Sequence, residues 1–282
     1  MPARLVDITD VSAPEMEPYA RMRDRDLARS DGLFIAEGEV VVRVLAARRH
    51  DRFRVRSLLV ERRRVEDLGD VIEALDDVPV YVVAQEVMNA VVGFDIHRGI
   101  LAVGQRGQPF EGLDLLAAQR GAPIALGLVG LANHDNVGSV FRNAAAFGAR
   151  GVLLDTATCD PLYRKAIRVS VGAALVVPFA RCGTPEAMLD TIEAAGWEAI
   201  ALSARGDETI DTVMREPGIG AASKKRILLL GTEGDGLPPD VLARTRRVRI
   251  DMEPTLDSLN VAVASGIALY EATRGAQRAT TR

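Results

Sequence analysis

The chain has 282 residues, of which 48% are hydrophobic and 26% charged, and its formal net charge is -4. This length favours two domains over one, and the composition is that of an ordinary globular protein, which excludes a uniformly basic nucleic-acid clamp. No apolar stretch approaches the ~20 uncharged residues that a membrane helix needs, and acids near the N-terminus argue against a signal peptide, so we expect a cytoplasmic protein without membrane contact.

The first half of the chain predicts a small α/β domain over residues 21–105. Residues 1–20 contain three prolines and little periodicity, so we expect them to be an N-terminal extension. A polar helix, the segment 34–38 and an amphipathic helix follow, and then strand-like runs alternate with helical patterns. The strand-like runs are 55–60, 80–83 and 100–103, the helical patterns lie near 65–75 and 85–92, and the glycines and prolines of 106–121 predict a linker.

A strongly arginine-rich segment lies within this first domain. It contains nine arginines against Asp51 and Glu61, and such a patch favours contact with phosphate groups. The alternative is a general bias, because arginine is the usual basic residue throughout this chain. The nine are Arg43, Arg48, Arg49, Arg52, Arg54, Arg56, Arg62, Arg63 and Arg64.

The second half, residues 122–282, predicts an α/β domain with a parallel sheet. Its apolar runs are nearly continuous, which indicates strands that are buried on both faces and flanked by helices. The predicted strands are 124–129, 151–154, 175–179, 197–202, 227–230 and 248–250, and the predicted helices are 137–147, 162–169, 185–195, 238–243 and 258–273.

Three polar segments of this half, 133–143, 231–236 and 257–264, follow predicted strands. Open α/β sheets bind ligands on loops at strand ends, so one site built from three distant segments is the simplest interpretation. In the first segment, a helix start and Arg142 suit a phosphate group, although Asn136 could be only a helix cap beside a solvated arginine. Ser258 could likewise cap the last helix.

The glycines of the second segment are spaced G-x-x-G-x-G, which lets a ligand approach the backbone closely. This spacing differs from the dinucleotide fingerprint, and no lysine follows as in a phosphate-binding loop. Only two cysteines and three scattered histidines are present, so neither a disulfide scaffold nor a metal site is expected.

Together, these segments resemble the SpoU (TrmH) family of RNA ribose 2'-O-methyltransferases, within the SPOUT superfamily. The resemblance extends over most of 124–274 and includes 160–162, 168–173 and Pro178. More weakly, segments 34–38 and 97–100 resemble the L30e-like substrate-binding domain of many members.

The resemblance implies a C-terminal domain folded into a deep trefoil knot, S-adenosylmethionine as the cofactor, and a homodimer. The catalytic positions it implies are Arg142, Asn136, Glu233, Ser258 and Asn260. The implied cofactor-binding positions are Leu230, Gly231, Thr232, Gly234, Gly236, Ile250, Met252 and Leu259. Independently of the resemblance, the charge of the arginine-rich segment predicts RNA contacts at Arg43, Arg48, Arg49, Arg52 and Arg54.

Two positions depart from the family pattern. His134 stands where many members have proline; it could act as a proton acceptor, or it could be an ordinary exposed loop residue. Pro254 stands where many members have glycine, and proline cannot adopt positive φ, so the cofactor-binding loop could differ in shape.

The sequence therefore favours an S-adenosylmethionine-dependent RNA ribose 2'-O-methyltransferase. The extra N-terminal domain makes rRNA a better candidate substrate than tRNA. The alternative is a catalytically silent RNA-binding protein that keeps the fold, for which Pro254 is the main argument.

Overall fold

The computed structural model describes residues 3–20, 32–47, 52–118, 123–216, 224–253 and 255–280, with side chains to 274. The chain divides into two compact units. The first comprises Met1–Pro109 and Leu162–Leu175, and the second comprises Phe110–Pro161 and Val176–Arg282. The division differs from the predicted one at residues 162–175, which group with the first unit although they lie within the second half of the sequence.

The described elements alternate between strands and helices. The strands are β1 Arg4–Asp7, β2 Leu33–Glu37, β3 Phe53–Glu61, β4 Pro79–Val83, β5 Ile100–Arg106, β6 Ile124–Leu128, β7 Val152–Leu154, β8 Phe179–Arg181, β9 Glu198–Leu202, β10 Glu208–Thr209, β11 Arg226–Leu230 and β12 Arg246–Arg249. The helices are α1 Glu17–Ala20, α2 Glu39–Ala47, α3 Gly69–Glu73, α4 Gln85–Val92, α5 Gly112–Ala117, α6 His134–Ala146, α7 Arg164–Val169, α8 Pro185–Ala194, α9 Ile210–Met214, α10 Pro239–Ala243 and α11 Val261–Thr280.

The first unit contains a mixed five-stranded sheet in the order β1-β4-β3-β5-β2. Its central strands β3 and β5 are antiparallel, whereas β3, β4 and β1 run parallel to one another. Within the predicted extension, residues 3–20 belong to the fold of this unit: β1 pairs with β4, and Met16 and Tyr19 are buried in the core. Few apolar residues in an aperiodic segment suffice for such anchoring, which is why sequence periodicity missed it.

The second unit confirms the predicted parallel sheet. Seven strands lie in the order β10-β12-β9-β11-β6-β7-β8, and every pairing between them is parallel. All five residues of β11 are buried at the centre of the sheet. Because the strands are parallel, their carboxyl ends share one edge, and the loops that follow them meet there. The trefoil knot stays a prediction.

The strand predicted at 175–179 is wrong for most of its length. The structure has a 3-10 turn at Ala173–Leu175, and strand β8 begins only at Phe179. A short buried apolar run does not by itself distinguish a strand from a helical turn. The predicted linker also contains regular structure, because helix α5 lies within it.

Two broad properties follow from the described parts of the chain. No helix there is long and apolar enough to span a bilayer. The same residues contain no group of three or more His, Cys, Asp or Glu side chains placed to hold a metal ion.

Candidate functional site

A buried acid holds the loop between β6 and α6. The backbone N–H of Gly130 donates to both carboxylate oxygens of Asp155 at 3.1 Å, and Thr158 N donates to Asp155 Oδ1 at 2.7 Å. The Thr158 hydroxyl in turn accepts from Leu131 N at 3.2 Å. Asp155 and Thr158 are each only 2% exposed. Sequence reasoning missed this network, although an acid directly after a buried strand is a usable signal.

Helix α6 brings Asn136 into the interior. The helix begins at His134, and its N-cap is Asn133, whose side chain accepts from Asp135 N at 2.9 Å. The interpretation of Asn136 as the cap is therefore wrong. Asn136 lies in the first turn, is 6% exposed, and donates through Nδ2 to Glu233 Oε1 at 2.5 Å.

The glycine-rich segment after β11 forms a closed turn. Thr232 donates to the carbonyl oxygen of Gly236 through its backbone N–H at 3.1 Å and its hydroxyl at 3.2 Å. A Cβ at Gly231 would lie 2.3 Å from the carbonyl carbon of Gly236, so no side chain fits there. Gly234, with φ +116°, adopts a conformation that favours glycine. Glu233 lies within this turn.

The third segment closes the cluster. Asn260 caps α11 by accepting from Ala262 N at 2.9 Å, so the cap is not Ser258, which is exposed and precedes the helix. The Nδ2 atom of Asn260 donates to Glu233 Oε1 at 2.9 Å and to Asn136 Oδ1 at 3.0 Å. The structure thus brings side chains of all three segments together.

A further asparagine joins α6 to α11. Asn143 Nδ2 donates to the carbonyl oxygen of Ala262 at 2.7 Å and to Ser265 Oγ at 2.9 Å. Ser265 is fully buried. This contact fixes the helix that carries Asn136 against the helix that Asn260 caps, and sequence reasoning assigned Asn143 no role.

Arg142 lies on α6 with an exposed side chain. It forms no ion pair or hydrogen bond with any residue that the structure describes, whereas many other arginines are paired with acids. A guanidinium that is not engaged by a carboxylate is free to bind an external anion such as a phosphate.

A cavity of about 1110 Å³ lies beside the cluster, among the loops that follow β9, β11 and β12. The eight predicted cofactor-binding residues all line it, and so do Glu233, Ser258 and Asn260; Asn136 and Arg142 do not. Residues 203–205 also line it and were missed, although they directly follow strand β9. Pro254 lies outside the described residues.

The cavity lining is rich in carboxylates. Of its three arginines, Arg247 is paired with Asp207 at 2.8 Å and Arg249 with Asp251 at 2.9 Å. The lining therefore favours a ligand that carries positive charge. Its acids are Glu233, Asp235, Asp251, Glu253 and Asp257.

The arginine-rich segment is partly neutralised by acids outside the counted stretch. Arg43 is paired with Glu39 at 2.8 Å and also with Asp70, and Arg64 is paired with Glu39 at 2.7 Å. These acids come from elsewhere in the first unit, so a count along the sequence overstated the positive charge.

The other members of the segment differ in their surroundings. Arg62 and Arg63 also face acids. The guanidinium carbon of Arg52 lies 5.0 Å from the centre of the Phe53 ring. Arg54 is exposed and has no hydrogen-bond or ion-pair partner among the described residues, while Arg48 and Arg49 lie outside them.

Comparison with known proteins decides the family. The model of the SpoU rRNA Methylase family matches residues 123–270. The chain belongs to this family. It is 36% identical over 274 residues to an uncharacterized tRNA/rRNA methyltransferase of Mycobacterium bovis, a match that covers 95% of this chain and 91% of the relative.

Solved structures agree with this SpoU assignment at the level of the whole chain. An RNA 2'-O ribose methyltransferase superposes with a TM-score of 0.76 at 25% identity, covering 96% of this chain and all of that one (100%). An AdoMet-bound rRNA methyltransferase from Sinorhizobium meliloti has a TM-score of 0.78 at 24% identity, with 96% and 98% of the two chains covered. The likeness to these solved structures therefore covers residues of both units.

Proposed function

We propose that this SpoU family member transfers the methyl group of S-adenosylmethionine to a ribose 2'-hydroxyl of RNA, with rRNA as the substrate. The observation that carries the proposal is the hydrogen-bonded cluster of Asn136, Glu233 and Asn260 beside a large acidic cavity. The exposed guanidinium of Arg142 lies on the same helix as Asn136.

The volume and the acidic lining of the cavity both suit S-adenosylmethionine. Its volume lies above the range typical of small-ligand sites, so a bent cofactor and part of a substrate fit together. The glycine at position 231 lets the turn close tightly on Gly236 at the border of the cavity, and the carboxylates of the lining favour a cationic sulfonium and ammonium. Backbone at Leu230, Gly231, Ile250, Met252 and Leu259 would hold the cofactor, which supplies an electrophilic methyl carbon.

The protein then has to orient the ribose hydroxyl and stabilise the charge that develops on its oxygen. Alignment of two bound reactants contributes roughly 7 to 11 kcal/mol. Arg142 binds the phosphate next to the ribose and stabilises the alkoxide electrostatically. It cannot take the hydroxyl proton, because a guanidinium carries only donor N–H groups and stays protonated in proteins. A phosphate oxygen or solvent accepts that proton.

The cluster of Asn136, Glu233 and Asn260 keeps the site in shape. One carboxylate oxygen accepts from both amide groups, so the loops after β6 and β11 and the start of α11 are held in one arrangement. Ser258 and Asn260 both line the cavity, and in this proposal Ser258 contacts the substrate. A role for His134 as proton acceptor stays a prediction; the residue lies at the first position of α6.

The active form is a homodimer in the cytoplasm. Helix α11 exposes an apolar stripe, with Val263 52%, Ile267 36% and Tyr270 49% exposed. These residues are spaced at helical intervals on one face, and such a face is normally covered. A second copy of the chain covers it in this proposal.

One pair of measurements tests the function. Calorimetry with S-adenosylmethionine should show binding, and incubation with labelled cofactor should transfer methyl groups to rRNA ribose and not to tRNA. Cofactor binding without transfer to any RNA would instead support the silent RNA-binding alternative. Ribose methylation mapped in cells with and without the gene would identify the nucleotide.

A further inference from the structure

The first unit contains a cavity of its own, with a volume of about 590 Å³. Strands β3, β4 and β5 contribute Arg56, Tyr81 and Gln105, and the N-terminal segment contributes Pro14 and Pro18. A cavity of this size accommodates one nucleotide. None of these residues has a role in the methyl-transfer site described above.

The N-terminal side of the cavity is firmly anchored. Met16 and Tyr19 are buried in the core of the first unit. The Tyr19 hydroxyl hydrogen-bonds to Ser57 Oγ at 2.7 Å, and Ser57 itself lines the cavity. Pro14 and Pro18, on either side of Met16, have restricted backbones. The cavity is therefore already formed in the free protein, which lowers the entropy cost of binding.

Arg56 faces this cavity because strand β3 is irregular there. Val55 pairs with Gly104 and Ser57 with Val103, so Arg56 is skipped in the ladder with β5. Such bulges re-aim side chains and occur next to functional sites. Arg56 is exposed and has no ion-pair or hydrogen-bond partner in the described part of the chain. Of the arginine-rich segment, Arg54 and Arg56 thus keep their charge available for phosphate.

The other lining groups suit a nucleobase. Tyr81 is partly exposed and offers an aromatic ring on which a base can stack. The Gln105 amide both donates and accepts hydrogen bonds. The lining also contains the carboxylates of Glu15 and Asp77, and a carboxylate can accept a hydrogen bond from the exocyclic amino group of a base.

We propose that this cavity binds one unpaired nucleotide of the RNA substrate, with its base on Tyr81 and a neighbouring phosphate on Arg56. The proposal rests on the RNA methyltransferase function proposed above. A base that is paired in a duplex cannot enter, so the cavity selects single-stranded loops or bulges, as sequence-dependent RNA recognition commonly does.

The test measures fluorescence anisotropy with a labelled single-stranded RNA of about ten nucleotides and with the duplex it forms with its complement, at one fixed salt concentration. The variants are Arg56→Ala, Tyr81→Leu and Tyr81→Phe. Arg215→Ala removes the same charge from an exposed position outside the first unit and is the matched control. Circular dichroism checks the fold of each variant.

We expect Arg56→Ala and Tyr81→Leu each to weaken single-strand binding about fivefold or more, because stacking and a phosphate contact are lost. Tyr81→Phe keeps the ring and should stay within about twofold of the parent, as should Arg215→Ala. Duplex affinity should not respond to Tyr81→Leu. The proposal is overturned if the parent does not bind the single strand, if Tyr81→Leu binds it normally, or if single-strand and duplex affinities fall equally.

Failure of the nucleotide-binding proposal can be distinguished from failure of the proposed methyltransferase function. If methyl transfer is normal and the Arg56 and Tyr81 variants bind RNA as tightly as the parent, only the proposed role of the cavity is rejected. Loss of single-strand binding in these variants, in a protein that neither binds S-adenosylmethionine nor transfers methyl groups, would reject the function and keep the nucleotide site.

Discussion

Asn136 and Glu233 are 97 residues apart in the chain, yet Asn136 Nδ2 donates to Glu233 Oε1 at 2.5 Å. The same oxygen accepts from Asn260 Nδ2 at 2.9 Å. A single carboxylate therefore joins three loops at the edge of the parallel sheet. The arrangement depends on Glu233 being an acceptor for two donors at once.

Replacing Glu233 with alanine should destabilise the second unit. The buried Asn136 amide would lose its acceptor, which costs roughly 1 to 3 kcal/mol. Glu233→Gln, whose carbonyl oxygen can still accept, should cost less. Urea unfolding measures both variants, and Asp235→Ala in the same turn is the control. Equal stability of Glu233→Ala and the control would contradict this role.

Arg142→Ala should strongly slow methyl transfer and leave the stability of the protein nearly unchanged. Loss of one electrostatic stabiliser lowers kcat about 100-fold or more, whereas an exposed side chain without described partners changes the free energy of unfolding by no more than ~0.5 kcal/mol. Single-turnover assays and calorimetry with S-adenosylmethionine measure rate and cofactor affinity separately. Near-normal turnover with intact cofactor binding would disprove the assignment.

Gly231→Ala should weaken binding of S-adenosylmethionine. The new Cβ would lie 2.3 Å from backbone of Gly236, so the turn that borders the cavity has to open. Gly69→Ala is the matched control, because a Cβ there has no heavy atom within 4 Å. Calorimetry should show a cofactor affinity about tenfold or more lower for Gly231→Ala alone. Unchanged affinity would mean that this turn does not contact the cofactor.

The lowered pKa of Glu216 should make the stability of the folded protein depend on pH in the acid range. Hydrogen bonds first from Arg246 and then from Lys224 lower the pKa of Glu216 to about 2. Since its folded pKa lies below the usual value of 4.5, its stabilisation is present above pH 4.5 and is lost as the pH falls toward about 2. Glu216→Gln should be less stable than the parent at neutral pH.

The difference between Glu216→Gln and the parent should shrink across that acid window. Thermal unfolding at several pH values measures it. Glu73→Gln, at an exposed acid of α3, serves as the control and should match the parent throughout. A constant difference from neutral to acid pH would show that the ion pairs of Glu216 are not its source.

Val263→Asp should dissociate the proposed homodimer. Val263 is 52% exposed in the first turn of α11, where an acid is compatible with the helix, so the fold is retained. A buried charge without a partner opposes association of the apolar faces. Sedimentation at micromolar concentration should give a dimer for the parent and a monomer for Val263→Asp. Leu113→Asp, at another exposed apolar residue, should remain dimeric.

Much of the second unit was predictable because its local patterns are strong. Apolar runs such as residues 227–230 indicated buried parallel strands, and the structure confirms the parallel sheet. The helix N-caps were less predictable. Helix α6 is capped by Asn133 and not by Asn136, and helix α11 is capped by Asn260 and not by Ser258. Two nearby polar side chains are equally able to cap, and only the exact first helical turn distinguishes them.

The amino-acid sequence by itself determined the chemistry: which segments after strands carry polar groups, where a glycine-rich turn follows a strand, and which family the three segments resemble. The tertiary structure alone decided which groups meet. It joined Asn136, Glu233 and Asn260, neutralised Arg43 and Arg64, and left Arg54 and Arg56 available for phosphate. Charge pairing and hydrogen bonding depend on distance in space, and residues far apart along the chain have no pattern that records it.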